Sequence, residues 1–399
     1  MKQKRWNTFL LCLLLLLRPH YGTAQETLLC PQNIDRYFTL HGDGMPGKSV
    51  GIVTPLRDQT FLVGETGNTC YHVDDVGNII AKYTIEHPDF DGDGIHIKAG
   101  GQFNHTFVFA AYDYQRDISY IAIADPDGTM RYSEPIPAAI NDTVLLDDGM
   151  LLCGSMQARD HVSSRNYMLP WAAKINGVGD IVWQYTEKTA EKKPSKSSRV
   201  FTHCVADSDA YYFIRVEHNQ NLLWSVLQID NKGLVAEENL LPLEQYQQYG
   251  SVDIRKALLN HGELLLLVSA YNKRGEKINS ILATKGAEFL WAHDISAGRS
   301  ILSFSTTEGG YVCVSAAMTE TFSEIDLLLI NNTGRIIQQL PFSRDDATQE
   351  LRSSHLLSRL VQNDADLWGV GVLSCSSPDE ARSWIYMVRF NIPAFISGT

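Results

Sequence analysis

A glycine recurs at Gly77, Gly128, Gly179, Gly233, Gly286 and Gly334, 48 to 54 residues apart, and each one closes a short hairpin. An apolar stretch precedes every copy and another usually follows: YHVDDVGNII, IAIADPDGTM, AAKINGVGDIVW, LQIDNKGLVA, ILATKGAEFLW and LLINNTGRII. A period in this range, with one hairpin per copy and no helical spacing, predicts a repeat of small sheets closed into a β-propeller.

Each unit divides into four short apolar segments separated by turn residues. In the fifth unit they read VDIRKALLN, GELLLLVSA, KINSILAT and GAEFLWAH. Runs of four to eight apolar or β-branched residues bounded by Gly, Asn, Asp or charge are strand signals. The expected fold is therefore all-β: one propeller of seven four-stranded blades. Seven second strands can be found: FLVGE, FVFAAY, LLCGS, YYFIRV, LLLLVSA, YVCVSA and LWGVGV. Small residues within them (Gly64, Ala110, Ala111, Gly154, Ser269, Ser315, Gly371) suit inner strands crowding towards a central channel. The seventh unit ends its third strand at WIYMVRFNIPAF without the glycine turn, while IDRYFTLH (34–41) is a spare strand-like segment before the first unit. Two closures fit: the N-terminal segment completes the last blade and shields its edge, or IPAFISG supplies that strand.

Copies such as AAKINGVGDIVWQY and ILATKGAEFLWAH resemble the exported bacterial propellers grouped as PQQ-like or WD40-like repeats. The resemblance covers most of the chain and implies the fold, not an activity. Quinone-binding members of that group would imply a cofactor pocket, a calcium ion and often adjacent cysteines. This chain has no adjacent cysteines, and the tryptophan of the outer strand stands clearly only at Trp183 and Trp291. No quinone is expected. The sialidase box S-x-D-x-G-x-x-W is absent too.

Residues 1–24 read as a secretory signal peptide: Lys2, Lys4 and Arg5, then the nine apolar residues Phe9 to Leu17, then small residues up to Ala24. Nine residues span about 14 Å as a helix, short of a bilayer core of roughly 30 Å. Residues 25–399 are then the propeller, exported and not inserted in a membrane. Without Lys2, Lys4, Arg5 and Arg18 it carries 30 basic and 46 acidic residues, a formal charge of −16. Such a chain repels nucleic acid. Six cysteines remain, with no C-x-x-C; Cys153, Cys204 and Cys313 sit in strand-like stretches where a buried free thiol suits as well as a disulfide.

The sharpest local constellation is HPDFDGDGIH, residues 87–96. Asp89, Asp91 and Asp93 alternate before Gly94, as in a calcium loop, where a hard cation needs several oxygens and glycine allows the tight turn. The match ends at Gly100, which stands where a bidentate Glu is needed. Calcium is thus the one candidate cofactor, and a solvated Asp-Gly connection is the competing reading. EKTAEKKPSKSSR (187–199) concentrates cations that could attract an acidic partner, or is a plain polar connector. Long loops between second and third strands (MQARDHVSSRN, AAMTETFSE, SCSSPDEARS) should share one face with the connections between blades. They would bring Arg159, Asp160, His161, Glu320, Asp379, Glu380 and Arg382 to that rim. No G-x-S-x-G elbow or H-E-x-x-H helix is present. Asn104, Asn141 and Asn331 begin glycosylation sequons.

These features favour a secreted non-catalytic binding or scaffold protein, recognising a protein or glycan at the cell surface through propeller-face loops. The alternative is an exported glycan hydrolase or lyase whose paired acids face each other at the channel mouth. A subunit of a larger envelope assembly would instead show a broad exposed apolar patch.

Overall fold

The computed structural model describes residues 34–40, 50–87, 94–159, 166–187, 198–208, 210–218, 222–246, 248–272, 274, 277–295, 298–307, 309–318, 323–342, 352–363, 366–376 and 381–390. Among them are twenty-eight strands and no α-helix. Strand β1 is Ile34–Thr39. Blade 1 comprises β2 (Val50–Pro55), β3 (Phe61–Glu65), β4 (Thr69–Val73) and β5 (Ile79–Thr84); blade 2 comprises β6 (Ile95–Phe103), β7 (Thr106–Asp113), β8 (Ile118–Ala124) and β9 (Met130–Tyr132). Blade 3 follows as β10 (Ala139–Leu146), β11 (Gly149–Arg159), β12 (Asn166–Asn176) and β13 (Ile181–Thr186). Blade 4 is β14 (Ser198–Ala206), β15 (Ala210–His218), β16 (Leu222–Asp230) and β17 (Val235–Leu240). Blade 5 is β18 (Ser251–Asn260), β19 (Glu263–Tyr271), β20 (Lys277–Lys285) and β21 (Glu288–Ile295). Blade 6 is β22 (Arg299–Thr307), β23 (Gly310–Met318), β24 (Ser323–Asn331) and β25 (Ile336–Phe342). Blade 7 has β26 (Arg352–Asn363), β27 (Asp366–Ser376) and β28 (Ala381–Phe390), with β1 as its fourth strand.

The seven antiparallel sheets form a closed propeller, as the repeat predicts. The N-terminal segment makes the closure: β1 pairs β28 from Ile34 opposite Phe390 to Thr39 opposite Tyr386. Seven apolar clusters form the core, each held between two neighbouring blades. At the junction of blades 7 and 1, Phe61, Val63 and Tyr71 pack on Trp368, Val370 and Met387, with the Phe61 and Trp368 rings 5.0 Å apart. Burying aromatic and branched side chains between sheets is the main stabilising term, and only a shut ring provides it for every sheet.

The recurrent glycines serve the hairpin between third and fourth strands. Gly233 and Gly334 have φ of 81° and 80°, a region that glycine enters without cost. Three residues earlier stands an Asp or Asn whose side chain ties the turn: Asp230 Oδ1 accepts from the Lys232 and Leu234 amides at 2.9 Å each. The same pattern holds at Asp74, Asn176 and Asn331. The turns at Gly179, Gly233 and Gly334 also lean on the preceding blade. A Cβ on Gly233 would lie 3.0 Å from the Trp183 ring, and one on Gly334 would lie 2.3 Å from the Trp291 ring. The outer-strand tryptophans thus cover the next blade's glycine.

One expectation needs correcting. The innermost strand of a blade is its first, not its second: segments of β2, β6, β10, β14, β18, β22 and β26 line the central channel. Each of these carries a one-residue bulge, at Gly51, Lys98, Asn141, Thr202, Arg255, Leu302 and Ser358. Small residues in the second strands clear that bulge. A Cβ on Gly154 would stand 1.8 Å from the Ala139 carbonyl oxygen, and one on Gly64 would stand 2.6 Å from Ile52 Cγ1.

Candidate functional site

A bulge swings the residue after it and increases the local twist. In six blades that residue lines the channel (Ile52, Ala99, Asp142, His203, Lys256 and Arg359), while in blade 6 it is the buried Ser303, beside the lining residues Ile301 and Leu302. Blades 3, 4, 5 and 7 therefore set polar side chains around a cavity of about 1110 Å³, and Ser303 of blade 6 links into this belt from behind through Lys256. An innermost strand has backbone groups on its channel edge that no further strand can pair. The belt satisfies several of them, each time on the next blade. Asp142 Oδ2 accepts from the Cys204 amide at 3.2 Å, and Asn141 Nδ2 donates to the Phe201 carbonyl at 2.7 Å. Lys256 Nζ donates to Ser303 Oγ at 3.2 Å and to the Phe304 carbonyl at 2.9 Å. Ser303 Oγ accepts from the Leu360 amide at 3.0 Å, and Arg359 Nη2 donates to the Gly51 carbonyl at 3.2 Å.

The belt is electrostatically coupled. Burial, together with the like charge of Arg359, brings the Lys256 amine down to about 8, while Asp142 acts in the opposite direction. Burial pushes the Asp142 carboxyl above its ordinary range; His203, the amides of Thr143 and Cys204, and Lys256 pull it back. Above the belt, Lys98 and Arg255 occupy bulge positions, and Lys277 joins them at the start of its strand. Lys98 Nζ lies 5.4 Å from the Tyr112 ring centroid, and Lys277 Nζ lies 3.3 Å from Ser300 Oγ. Arg255 pairs with Asp253 at 2.9 Å.

Beside the belt, the buried thiols of Cys153 and Cys204 hydrogen-bond to each other across blades 3 and 4. Burial raises both, so they stay protonated and inert as nucleophiles. Cys70 and Cys313 are also free and buried.

Asp89, Asp91 and Asp93 lie outside the described residues, as do Asp160, His161, Glu320, Asp379, Glu380 and most of the connector 187–199. The flanking histidines have separate surroundings. His87 is buried with its ring 5.1 Å from those of Tyr120 and Tyr132, whereas His96 lines the channel, 5.2 Å from the Tyr114 ring. Among the described residues no group of three or more His, Cys, Asp or Glu is arranged to hold a metal ion. Arg159 and Arg382 belong to strands, not loops: Arg159 ends β11 opposite Asn166, and Arg382 lies opposite Cys375. The loop expectation there is corrected, because alternating apolar residues such as Met156 keep the ladder running past the point where polar residues begin. Arg199, at the end of the cationic connector, turns to Glu187 at 2.5 Å and Glu217 at 3.0 Å. Arg215 joins them through Glu187 and Glu238, tying blade 4 to the outer strand of blade 3. Asn141, first residue of a sequon, already donates its amide within the channel.

Fold and channel together define a seven-bladed β-propeller. No family model matches the sequence, and no curated protein matches it. Solved structures similar to it include BamB from Moraxella catarrhalis, at 12% identity and a TM-score of 0.43, covering 88% of this chain and 98% of that one. Quinohemoprotein alcohol dehydrogenase from Comamonas testosteroni gives 10% identity and a TM-score of 0.47, covering 83% of this chain and 65% of that one. Raptor from Chaetomium thermophilum gives 12% identity and 0.49, covering 90% of this chain and 30% of that one. The resemblance to PQQ-like and WD40-like propellers is one of fold.

Proposed function

We propose that this chain is an exported, non-catalytic propeller that binds a protein partner along its outer circumference. One observation carries the reading. Among the described residues thirteen large apolar side chains stay exposed, and eleven lie on or beside fourth strands: Val76, Ile79 and Ile80, Val178, Ile181 and Val182, Leu234, Val235 and Leu240, Phe289, and Ile337. Exposed apolar residues scattered singly carry no meaning, but a series at matching positions of five blades does. Fourth strands also present an unpaired backbone edge, so the rim offers both apolar contact and strand pairing to a polypeptide. A glycan would call for polar and aromatic platforms instead. The hydrolase alternative draws less support: among the described channel residues Asp142 is the one carboxylate, whereas glycoside hydrolysis needs two facing acids. Export rests on residues 1–24, and N-terminal sequencing of the mature protein should begin at Gln25.

The test compares the wild type with an Ile80→Lys, Val182→Lys, Ile337→Lys variant in crosslinking from the exported fraction. All three positions are more than half exposed, so folding should survive. A partner held by the wild type and lost by the variant is expected. Equal retention by both, or turnover by the purified protein on glycans, esters or peptides, overturns the proposal.

A further inference from the structure

The chain as a whole is acidic, with 34 Lys and Arg against 46 Asp and Glu, yet its channel is the reverse. Among the described residues five cations line it (Lys98, Arg255, Lys256, Lys277 and Arg359) against one carboxylate, Asp142. An acidic protein gains nothing for solubility by collecting like charges in a confined, partly desolvated space, where repulsion is strongest. Nor does blade stitching require them: Ser303 does the same work without charge, and Ile52 and Ala99 hold the equivalent position in blades 1 and 2 with no polar group. Arg255 has Asp253 as a partner. Lys256 and Arg359, by contrast, donate to neutral oxygens and form no ion pair within 4 Å among the described residues, with Asp142 the one carboxylate that acts on Lys256.

We propose that the channel binds a small multivalent oxyanion, one bearing two or more carboxylate or phosphate groups. Lys256 and Arg359 at the belt would hold one group and Lys98 and Lys277 a second, nearer the face marked by Thr66 and Gly67. Guanidinium and ammonium donors together suit such groups, through forked and point contacts respectively. The low-dielectric walls focus the field and strengthen attraction to an anion. This site is separate from the outer apolar rim, and either proposal can fail without the other.

Isothermal titration calorimetry on the full chain at low salt, with citrate and with pyrophosphate as probes, tests it. Saturable one-site binding of at least one probe is expected, weakening as salt is added. Lys256→Gln and Arg359→Gln should each reduce affinity about tenfold or more, whereas Lys232→Gln, on an exposed turn outside the channel, should not. Because Lys256 and Lys277 also link blades 5 and 6, Lys98→Gln provides a variant without that role, expected to weaken binding about threefold or more. Binding of citrate alone identifies a carboxylate ligand, and binding of pyrophosphate alone a phosphate one. No saturable binding of either, or affinities unchanged in every channel variant that folds, overturns the inference.

Discussion

At the scale of single residues, the turn glycines separate two costs that usually come together. Gly128 and Gly334 share nearly the same backbone, with φ of 85° and 80°. A Cβ on Gly128 meets nothing within 4 Å, whereas one on Gly334 runs into Trp291. Gly128→Ala should therefore cost about 1–2 kcal/mol, the penalty of a left-handed residue alone. Gly334→Ala should cost about 1–3 kcal/mol more, because the Trp291 contact must shift. Urea denaturation of the two variants measures the difference, and equal losses would show that the tryptophan yields freely. Lys256 gives a pH signature. Its folded value of about 8 lies below the ordinary 10.5, so between those limits the unfolded chain binds more protons. Wild-type stability should then rise relative to Lys256→Met as pH increases from about 8 towards 10.5 and stay level below 8. The groups that act on it electrostatically are Arg359, Asp142 and Cys313, and removal of Arg359 by Arg359→Gln should shift the onset upwards.

At the scale of elements, the four-stranded unit was legible because its signals are local: apolar runs bounded by turn residues, with a recurrent glycine in one of the turns. Blade closure was legible only as a choice, since a spare segment and a missing turn did not reveal which end supplied the strand. The innermost strand was misplaced for a physical reason. Gly64 and Gly154 mark a close approach, but a chain read alone does not tell approach to a channel from approach to a bulge in the neighbouring strand. The belt did leave a trace, in the apolar-x-polar triplets Ile140-Asn141-Asp142, Phe201-Thr202-His203, Ile254-Arg255-Lys256 and Ile301-Leu302-Ser303, each early in its unit. Each triplet looks unremarkable, and only alignment of the units with one another brings its third residue into one ring. Truncation before Leu40 tests the closing element. Without β1, the edge of β28 is open, and strand edges seek partners. The truncated chain should show a lower urea midpoint and concentration-dependent oligomers by analytical ultracentrifugation; a monomer of unchanged stability would make β1 dispensable.

At the scale of the molecule, the ring separates two surfaces of opposite character. The circumference is apolar at the fourth strands, and the axis is cationic within an acidic protein. The sequence predicted contact through face loops around Arg159, Asp160, His161, Glu320 and Arg382. The described structure instead directs attention to the outer strands and the axis, which depend on register and closure and so cannot be read from any one segment. The shared core makes the blades interdependent, because every cluster belongs to two of them. A single cooperative unfolding transition, rather than stepwise loss of blades, should be seen by circular dichroism and tryptophan fluorescence together.

The pairing of Ile34 with Phe390 also sets a timetable. At about 5–20 residues per second, a ribosome makes the second partner roughly 20–70 s after the first. Throughout that interval the earliest strand has no mate, and the assembled sheets present raw flanks to whatever surrounds them. Synthesis must therefore finish before the molecule can lock, and a chaperone that shelters the waiting N-terminal segment would raise the yield of native protein.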